Sequence, residues 1–229
     1  MRVSIIVPTL NEEAHIVETI RSLQRLSGEK EIIVVDGGST DRTVAVASAL
    51  NVRVTQAPQG RGSQMHVGAH QSTGDVLWFV HADTIAPPPA LEHIRKSLET
   101  KSTIGGNFGL RFDGPSRAAR LLTTIYPLLR IFGLYYGDSG IFVRRHIYHQ
   151  IGGFRSLPLF EDLDLLRRLH RAGRFVHLNC RIVTSSRRFE QRSFALVWLH
   201  WTMLQLLYWC GVSPGRLSRW YPHARRASA

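Results

Sequence analysis

The stretch IIVVDGGSTD, residues 32–41, decides the architecture. Four consecutive β-branched residues read as a strand buried on both faces, since a half-buried strand would alternate apolar and polar positions. Asp36, two glycines, Ser39, Thr40 and Asp41 then end it in a polar turn. The same boundary recurs on either side. Residues 3–8 form an apolar run that stops at Pro8 and leads into PTLNEE, and VLWFV (76–80) leads into HADT. A further strand is predicted over 52–56, with a loop over 58–62. Helical spacing fills the intervals. Residues 12–26 carry Ile16, Ile20, Leu23 and Leu26, and further helices are predicted over 41–50, over 63–71 and from the proline run at 87–89 to residue 99. Ser39 or Thr40 is the expected N-cap of the second helix.

This alternation predicts an α/β fold with a mostly parallel central sheet and helices on both faces. In such sheets ligands bind beyond the carboxyl ends of the strands. PTLNEE, DGGSTD and HADT would then border one crevice. The later chain is less regular. Strands are expected over 105–112, 140–144, 175–178 and 182–185, and a helix over 161–172 opens with two acids that suit the helix dipole. Residues 193–212 read as a strongly apolar helix rich in tryptophan, followed by a basic tail. The expected organisation is one catalytic-type domain over 1–190, with the apolar helix and tail of 191–229 packed on it or extending it.

Length and composition fit a folded domain. A chain of 229 residues buries roughly 70% of its unfolded surface without a disulfide or metal staple. The hydrophobic share of 44% and charged share of 20% exclude a disordered chain and a polytopic membrane protein. Cys180 and Cys210 sit in apolar surroundings and read as inert thiols, and the N-terminus reads as strand and loop, so the expected compartment is the cytoplasm. The net charge of +12 is lopsided: of 17 acids, only Glu190 lies beyond residue 164, among 12 arginines. Arginine suits phosphate recognition, so the crowding points to an anionic partner: nucleic acid, a phosphorylated substrate or an anionic membrane.

No GxxxxGK[ST], GxGxxG or HExxH motif is present. GRGSQM (60–65) is a glycine-rich turn of low specificity. His66 and His70, four apart, have no accompanying acid and read as surface or half-buried histidines. Each strand-end acid has two readings. Asp36 is an Asx-turn residue or an acceptor for a base N–H or a ribose hydroxyl. Asp83 caps the next helix or holds a hard divalent cation. Glu161 and Asp162 complement a helix dipole, or one of them is a general base.

Taken in order, VPTLNEE, IIVVDGGSTD, GRGSQM, TGDVLWFVHADT, YGDSGIFVRR, GGF and LFEDLDLLRRL resemble family-two glycosyltransferases of the GT-A fold, the nucleotide-diphospho-sugar transferase fold. The likeness is greatest to the radical-SAM/selenodomain-associated "transferase 2" subgroup. The resemblance implies that Pro8, Thr9, Leu10, Asn11 and Glu13 line a base and ribose pocket, and that Asp36 binds the base. It places Arg61, Ala82 and Arg188 at the nucleotide, with Arg187 beside Arg188. It makes Asp83 the ligand of Mg²⁺ or Mn²⁺, Asp162 the catalytic base with Glu161 beside it, and Gly137, Asp138, Ser139 and Gly140 an acceptor-side loop. The implied activity is metal-dependent, inverting transfer of a sugar from a nucleoside-diphosphate sugar to an acceptor hydroxyl, which a lipid is one class able to supply. One departure stands out: His81 occupies the place of the first acid of the family's DxD pattern. It keeps open the alternative of a catalytically weak or inactive nucleotide-binding protein at a membrane surface.

For the apolar helix three readings stand: a core helix or homodimer interface, an in-plane helix on the anionic inner face of a membrane, and a true span. Nucleic-acid binding rests on charge alone, with no aromatic–basic interleaving to support it.

Overall fold

The computed structural model describes residues 1–113, 120–121, 123–126, 128, 139–185 and 194–220. Four parallel strands form its first half: β1 (Val3–Thr9), β2 (Lys30–Asp36), β3 (Arg53–Gln56) and β4 (Val76–Phe79). Four more, β5 (Thr84–Ile85), β6 (Thr103–Phe112), β7 (Phe142–Arg144) and β8 (Arg174–Thr184), extend one sheet in the order β3-β2-β1-β4-β7-β6-β8-β5. β7 is antiparallel to both β4 and β6, β5 is antiparallel to β8, and β6 and β8 are parallel. The helices are α1 (Ile16–Gln24), α2 (Thr43–Ser48), α3 (Arg61–Gln71), α4 (Ala90–Leu98), α5 (Arg145–Gln150), α6 (Glu161–Ala172), α7 (Phe194–Trp209) and α8 (Pro214–Ser218).

The continuous apolar runs are explained by burial on both faces. Successive side chains of a strand point to opposite sides. Val3, Ile5, Val7, Val34, Val76 and Trp78 therefore join Ile16, Ile20, Leu23 and Ile94 of α1 and α4 in one core. Ile6, Ile33, Val35, Leu77 and Phe79 join Met65, Tyr148, Leu165 and Leu169 of α3, α5 and α6 in the other. All these side chains are at most 3% exposed.

Differences from the sequence expectations are local. The first helix opens at Ile16 instead of residue 12, because residues 11–13 bond to the neighbouring loop. Neither Ser39 nor Thr40 caps α2. Arg42 holds the N-cap position without a side-chain cap, and Asp41 Oδ1 accepts the Thr43 N–H at 2.9 Å. The expected strands 175–178 and 182–185 are one strand, β8, with register shifts against β6 that absorb the irregular pattern between them. β5 and α5 are too short to carry a periodic signal.

α7 is shorter than the 193–212 reading. A Schellman motif ends it: the Val212 N–H reaches Leu207 O at 3.0 Å, the Gly211 N–H reaches Tyr208 O at 3.0 Å, and Gly211 adopts φ 89°. Among the described residues no helix is long and apolar enough to cross a membrane.

A histidine group joins α3 to α5. His66 and His70 have ring centroids 4.5 Å apart, His70 and His149 5.1 Å, and His66 Nδ1 lies 3.2 Å from the Tyr148 hydroxyl. Burial first, then the neighbouring histidines, hold His66 below its ordinary pKa, and burial followed by His70 does the same for His149. The folded state thus binds fewer protons than the unfolded one, and stability is lost as pH falls below the ordinary histidine value of about 6.5. Thermal unfolding followed from pH 7.5 to 5.5 should show Tm falling with pH, and His66→Gln should flatten that slope.

Candidate active site

The parallel register brings three turns to one rim. Thr9 ends β1 opposite Asp36, which ends β2, and Ile6 of β1 pairs with Phe79 of β4, so HAD lies beside PTLNEE. β7 runs the other way, with Phe142 opposite Trp78 and Ile141 O accepting the Phe79 N–H at 2.9 Å. Ser139 and Gly140 therefore sit at the same end of the sheet.

Asp36 is 1% exposed and organises its own turn. Its Oδ2 accepts the N–H groups of Gly38 and Ser39, both at 2.9 Å, and its Oδ1 accepts the hydroxyls of Ser39 and Thr9. This is the Asx-turn arrangement. It holds the carboxylate rigid at the mouth of the strand. Asn11, in the left-handed region at φ 53°, ties PTLNEE to the same turn. Its N–H donates to Ser39 Oγ at 2.9 Å and its Oδ1 accepts the Thr40 N–H at 2.8 Å. Glu13 Oε2 accepts the Arg42 N–H at 2.8 Å. Asn11 and Glu13 are thus loop-stitching residues. Pro8 and Thr9 are buried at the strand end and Leu10 is half-buried above them.

Sequence reading passed over Gln64. This α3 side chain, 2% exposed, donates from Nε2 to Thr9 O at 2.7 Å and to Val35 O at 2.8 Å, strapping β1 to β2 beneath the rim. Gln64→Leu leaves those carbonyls short of a donor at a cost of about 2 kcal/mol. Differential scanning calorimetry should then show Tm lower by about 4–8 °C.

The HAD turn is held from α1. The Thr19 hydroxyl donates to Ala82 O at 2.7 Å, and the Thr84 N–H closes the turn onto His81 O at 3.2 Å. Asp83 is half-buried at its corner. α6 begins after Phe160, which lies in the left-handed region at φ 65°. Strain of this kind persists where surrounding structure fixes it, commonly at functional sites. Phe160 is fixed by Trp201 and Tyr208 of α7, with ring centroids 5.8 and 5.1 Å away.

The first turn of α6 carries three acids, all at most 5% exposed: Glu161, Asp162 and Asp164. Arg61 Nε pairs with Glu161 Oε1 at 2.7 Å, joining the start of α3 to the start of α6. Gly62 permits that approach, since a Cβ there would lie 2.4 Å from Arg155 O. Asp164 is held by Arg168 at 2.7 Å and by Arg155 at 3.4 Å. Asp162 lies between these two paired acids, at the positive end of the helix. Because α3 follows the carboxyl end of β3, the Arg61–Glu161 pair puts Asp162 on the same rim as Asp36 and HAD.

Beside β7, Ser139 Oγ accepts from the buried Asn107 Nδ2 at 3.1 Å, and Asn107 Oδ1 lies 2.6 Å from His177 Nδ1. Nothing in the sequence pattern marked this chain, because β6 and β8 are neighbours only in the fold. Gly137, Asp138, Arg187 and Arg188 lie outside the described residues.

A family model described as "Glycosyl transferase family 2" matches residues 4–158. The chain belongs to glycosyltransferase family 2. Among its relatives, a probable glycosyltransferase, YdaM, of Bacillus subtilis is 26% identical over 199 residues, 75% of this chain and 47% of that protein. A beta-monoglucosyldiacylglycerol synthase of Synechocystis is 28% identical over 195 residues, 74% of this chain and 40% of the relative. The chain thus spans about half or less of the length of these two curated relatives. The crystal structure of glucosyl-3-phosphoglycerate synthase from Mycobacterium tuberculosis with Mn²⁺, UDP and glucosyl-3-phosphoglycerate superposes with a TM-score of 0.65. The two are 22% identical, and the match covers 92% of this chain and 80% of that one. The fold of this family-two chain is therefore GT-A, with a mostly parallel sheet and flanking helices.

Proposed function

We propose that this family-two chain transfers a sugar from a nucleoside-diphosphate sugar to an acceptor hydroxyl with inversion at the anomeric carbon. The observation that carries the reading is the 2.7 Å Arg61–Glu161 pair, which ties the start of α6 to the start of α3, where Gln64 bonds to the strand ends beside Asp36. The family match and the UDP and Mn²⁺ in the glucosyl-3-phosphoglycerate synthase crystal support it. The motif order further supports placement in the radical-SAM/selenodomain-associated subgroup, and the rim belongs to the domain proposed over 1–190.

In this reading Asp36 and the PTLNEE loop receive the base and ribose, and Ala82 and Arg61 border the diphosphate. Rigid holding of the nucleotide aligns the reacting atoms. Asp162 accepts the acceptor's hydroxyl proton as that oxygen bonds to the anomeric carbon. The sugar–phosphate bond breaks and its electron pair leaves with the nucleoside diphosphate. The donor set fits a divalent ion shared with substrate. Among the described residues no three His, Cys, Asp or Glu side chains converge on a metal position. Mg²⁺ ordinarily takes one or two carboxylates and completes its shell with phosphate oxygens and water. Asp83 supplies one such carboxylate, with His81 where a second would stand. Bound there, Mg²⁺ or Mn²⁺ would counter the charge growing on the leaving diphosphate.

A panel of UDP-, GDP- and dTDP-sugars tested by thermal shift, with and without Mn²⁺, checks the donor reading. At a hundredfold excess over Kd one donor should raise Tm by about 5–10 °C, and only with the ion present. A panel in which no nucleotide shifts Tm would remove the activity.

A further inference from the structure

We infer that α7 seats the protein on an anionic lipid bilayer, lying in the plane of its surface. α7 carries no formal charge and is interrupted only by His200, Thr202 and Gln205, with no acid in its first turn and no base in its last. Its inner edge is accounted for: Leu204 is fully buried against Phe160, Leu163 and Leu217, and Trp201, Leu207 and Tyr208 flank it. Its outer edge is not. Leu196, Leu199, Met203 and Leu206 recur at intervals of three and four, so they form one stripe, and they are 68%, 61%, 43% and 51% exposed. Trp209 ends the helix at 50% exposure, and Trp220 stands at 58%. A helix on a water-facing surface would carry charges on that side.

Charge chooses the occupant. α8 folds back through buried Leu217, leaving Arg216 and Arg219 exposed beyond the Trp209 end. The chain beyond residue 164 holds 12 arginines against Glu190 alone. A second copy would bring the same positive surface against this one, and a nucleic acid would leave the leucine stripe in water. An anionic bilayer meets both requirements: apolar chains for the leucines and headgroups for the arginines and tryptophans. Sixteen residues rise about 24 Å, short of the bilayer core, so the helix lies along the surface.

This deepens the proposed function and rests on it for its consequence. Phe160 packs on α7 and directly precedes Glu161 and Asp162, so the base stands about one helix diameter, ~10 Å, from the headgroup layer. The acceptor class that fits is a hydroxyl borne on a lipid at headgroup level.

The test is vesicle flotation of the full chain without any sugar donor, so that it stands or falls apart from the donor reading. The probes are phosphatidylcholine vesicles and vesicles of equal parts phosphatidylcholine and phosphatidylglycerol. Binding is expected to the mixed vesicles, weakened by high salt and much lower on phosphatidylcholine alone. Leu199→Glu with Leu206→Glu should lower partitioning at least about tenfold, and Arg216→Gln with Arg219→Gln about fivefold for each arginine. Circular dichroism checks that the variants fold, and Leu199→Ala with Leu206→Ala replaces the first pair should it not. Three results would each overturn the inference. One is no flotation with either vesicle. Another is flotation indifferent to lipid charge or to the leucine changes. The third is a self-association in analytical ultracentrifugation that Leu199→Glu abolishes while vesicles stay unbound.

Discussion

Asp162→Asn is expected to lower kcat by about 10³-fold while leaving donor affinity nearly unchanged. A positioned general base contributes typically 10²–10⁴-fold, and the amide cannot take the acceptor's proton. Conformation should survive the change. Asp162 is one atom swap from asparagine, and its neighbours Glu161 and Asp164 keep their own arginine partners, Arg61 and Arg168. The informative readout is therefore the split between parameters: kcat falls, whereas the donor-induced thermal shift remains. Glu161→Gln gives a different signature. It removes the 2.7 Å ion pair that joins α3 to α6, so Tm and donor affinity should fall together with rate. A larger loss in kcat for Glu161→Gln than for Asp162→Asn, with Tm unchanged in both, would reverse the two roles.

Asp83→Asn should cost about 10²-fold or more in kcat/KM and uncouple donor binding from the divalent ion. The half-buried carboxylate sits at the corner of a turn whose backbone is pinned by Thr19 and closed by Thr84. What is lost is a hard anionic oxygen where the diphosphate is proposed to lie, and charge stabilisation of a leaving group is worth several kcal/mol. With wild type, the donor should shift Tm only when Mn²⁺ is present, and with Asp83→Asn the curves with and without Mn²⁺ should coincide. A variant that keeps its full ion response would place the ion elsewhere.

The half of the fold that was legible is the half whose strands are buried on both faces. Runs such as IIVV and VLWFV announce parallel strands by composition alone, and the polar turns at their ends mark the crevice. The antiparallel half was less legible because β7 has three residues and β5 two, too few for a period. Helix starts were misjudged where side chains serve the neighbouring loop instead of their own helix. Asn11 and Glu13 bond to the DGGSTD loop, and Ser39 and Thr40 bond back to Asp36 and Asn11. At the site, sequence order gave the acids but not their pairing. Arg61 and Glu161 are a hundred positions apart, and only the close approach at Gly62 brings them together. Gln64 lay inside a quoted motif, yet its strap across β1 and β2 requires knowing that those strands are adjacent.

The placement of α7 against Phe160 also bears on how the site is held. A left-handed phenylalanine at the N-cap of α6 is sustained by Trp201 and Tyr208, so loosening α7 should disturb Asp162 before it disturbs Asp36. A lowered kcat with an intact donor-induced thermal shift in Tyr208→Ala would show that order of sensitivity.

Co-crystallisation with UDP and Mn²⁺ asks the central question in one measurement. The nucleotide should lie along the carboxyl ends of β1, β2 and β4, with its base at Asp36, its diphosphate and the ion at Asp83, and Asp162 facing the β-phosphate across the crevice. Nucleotide density at any other surface, or Asp162 turned away from the diphosphate, would contradict the account.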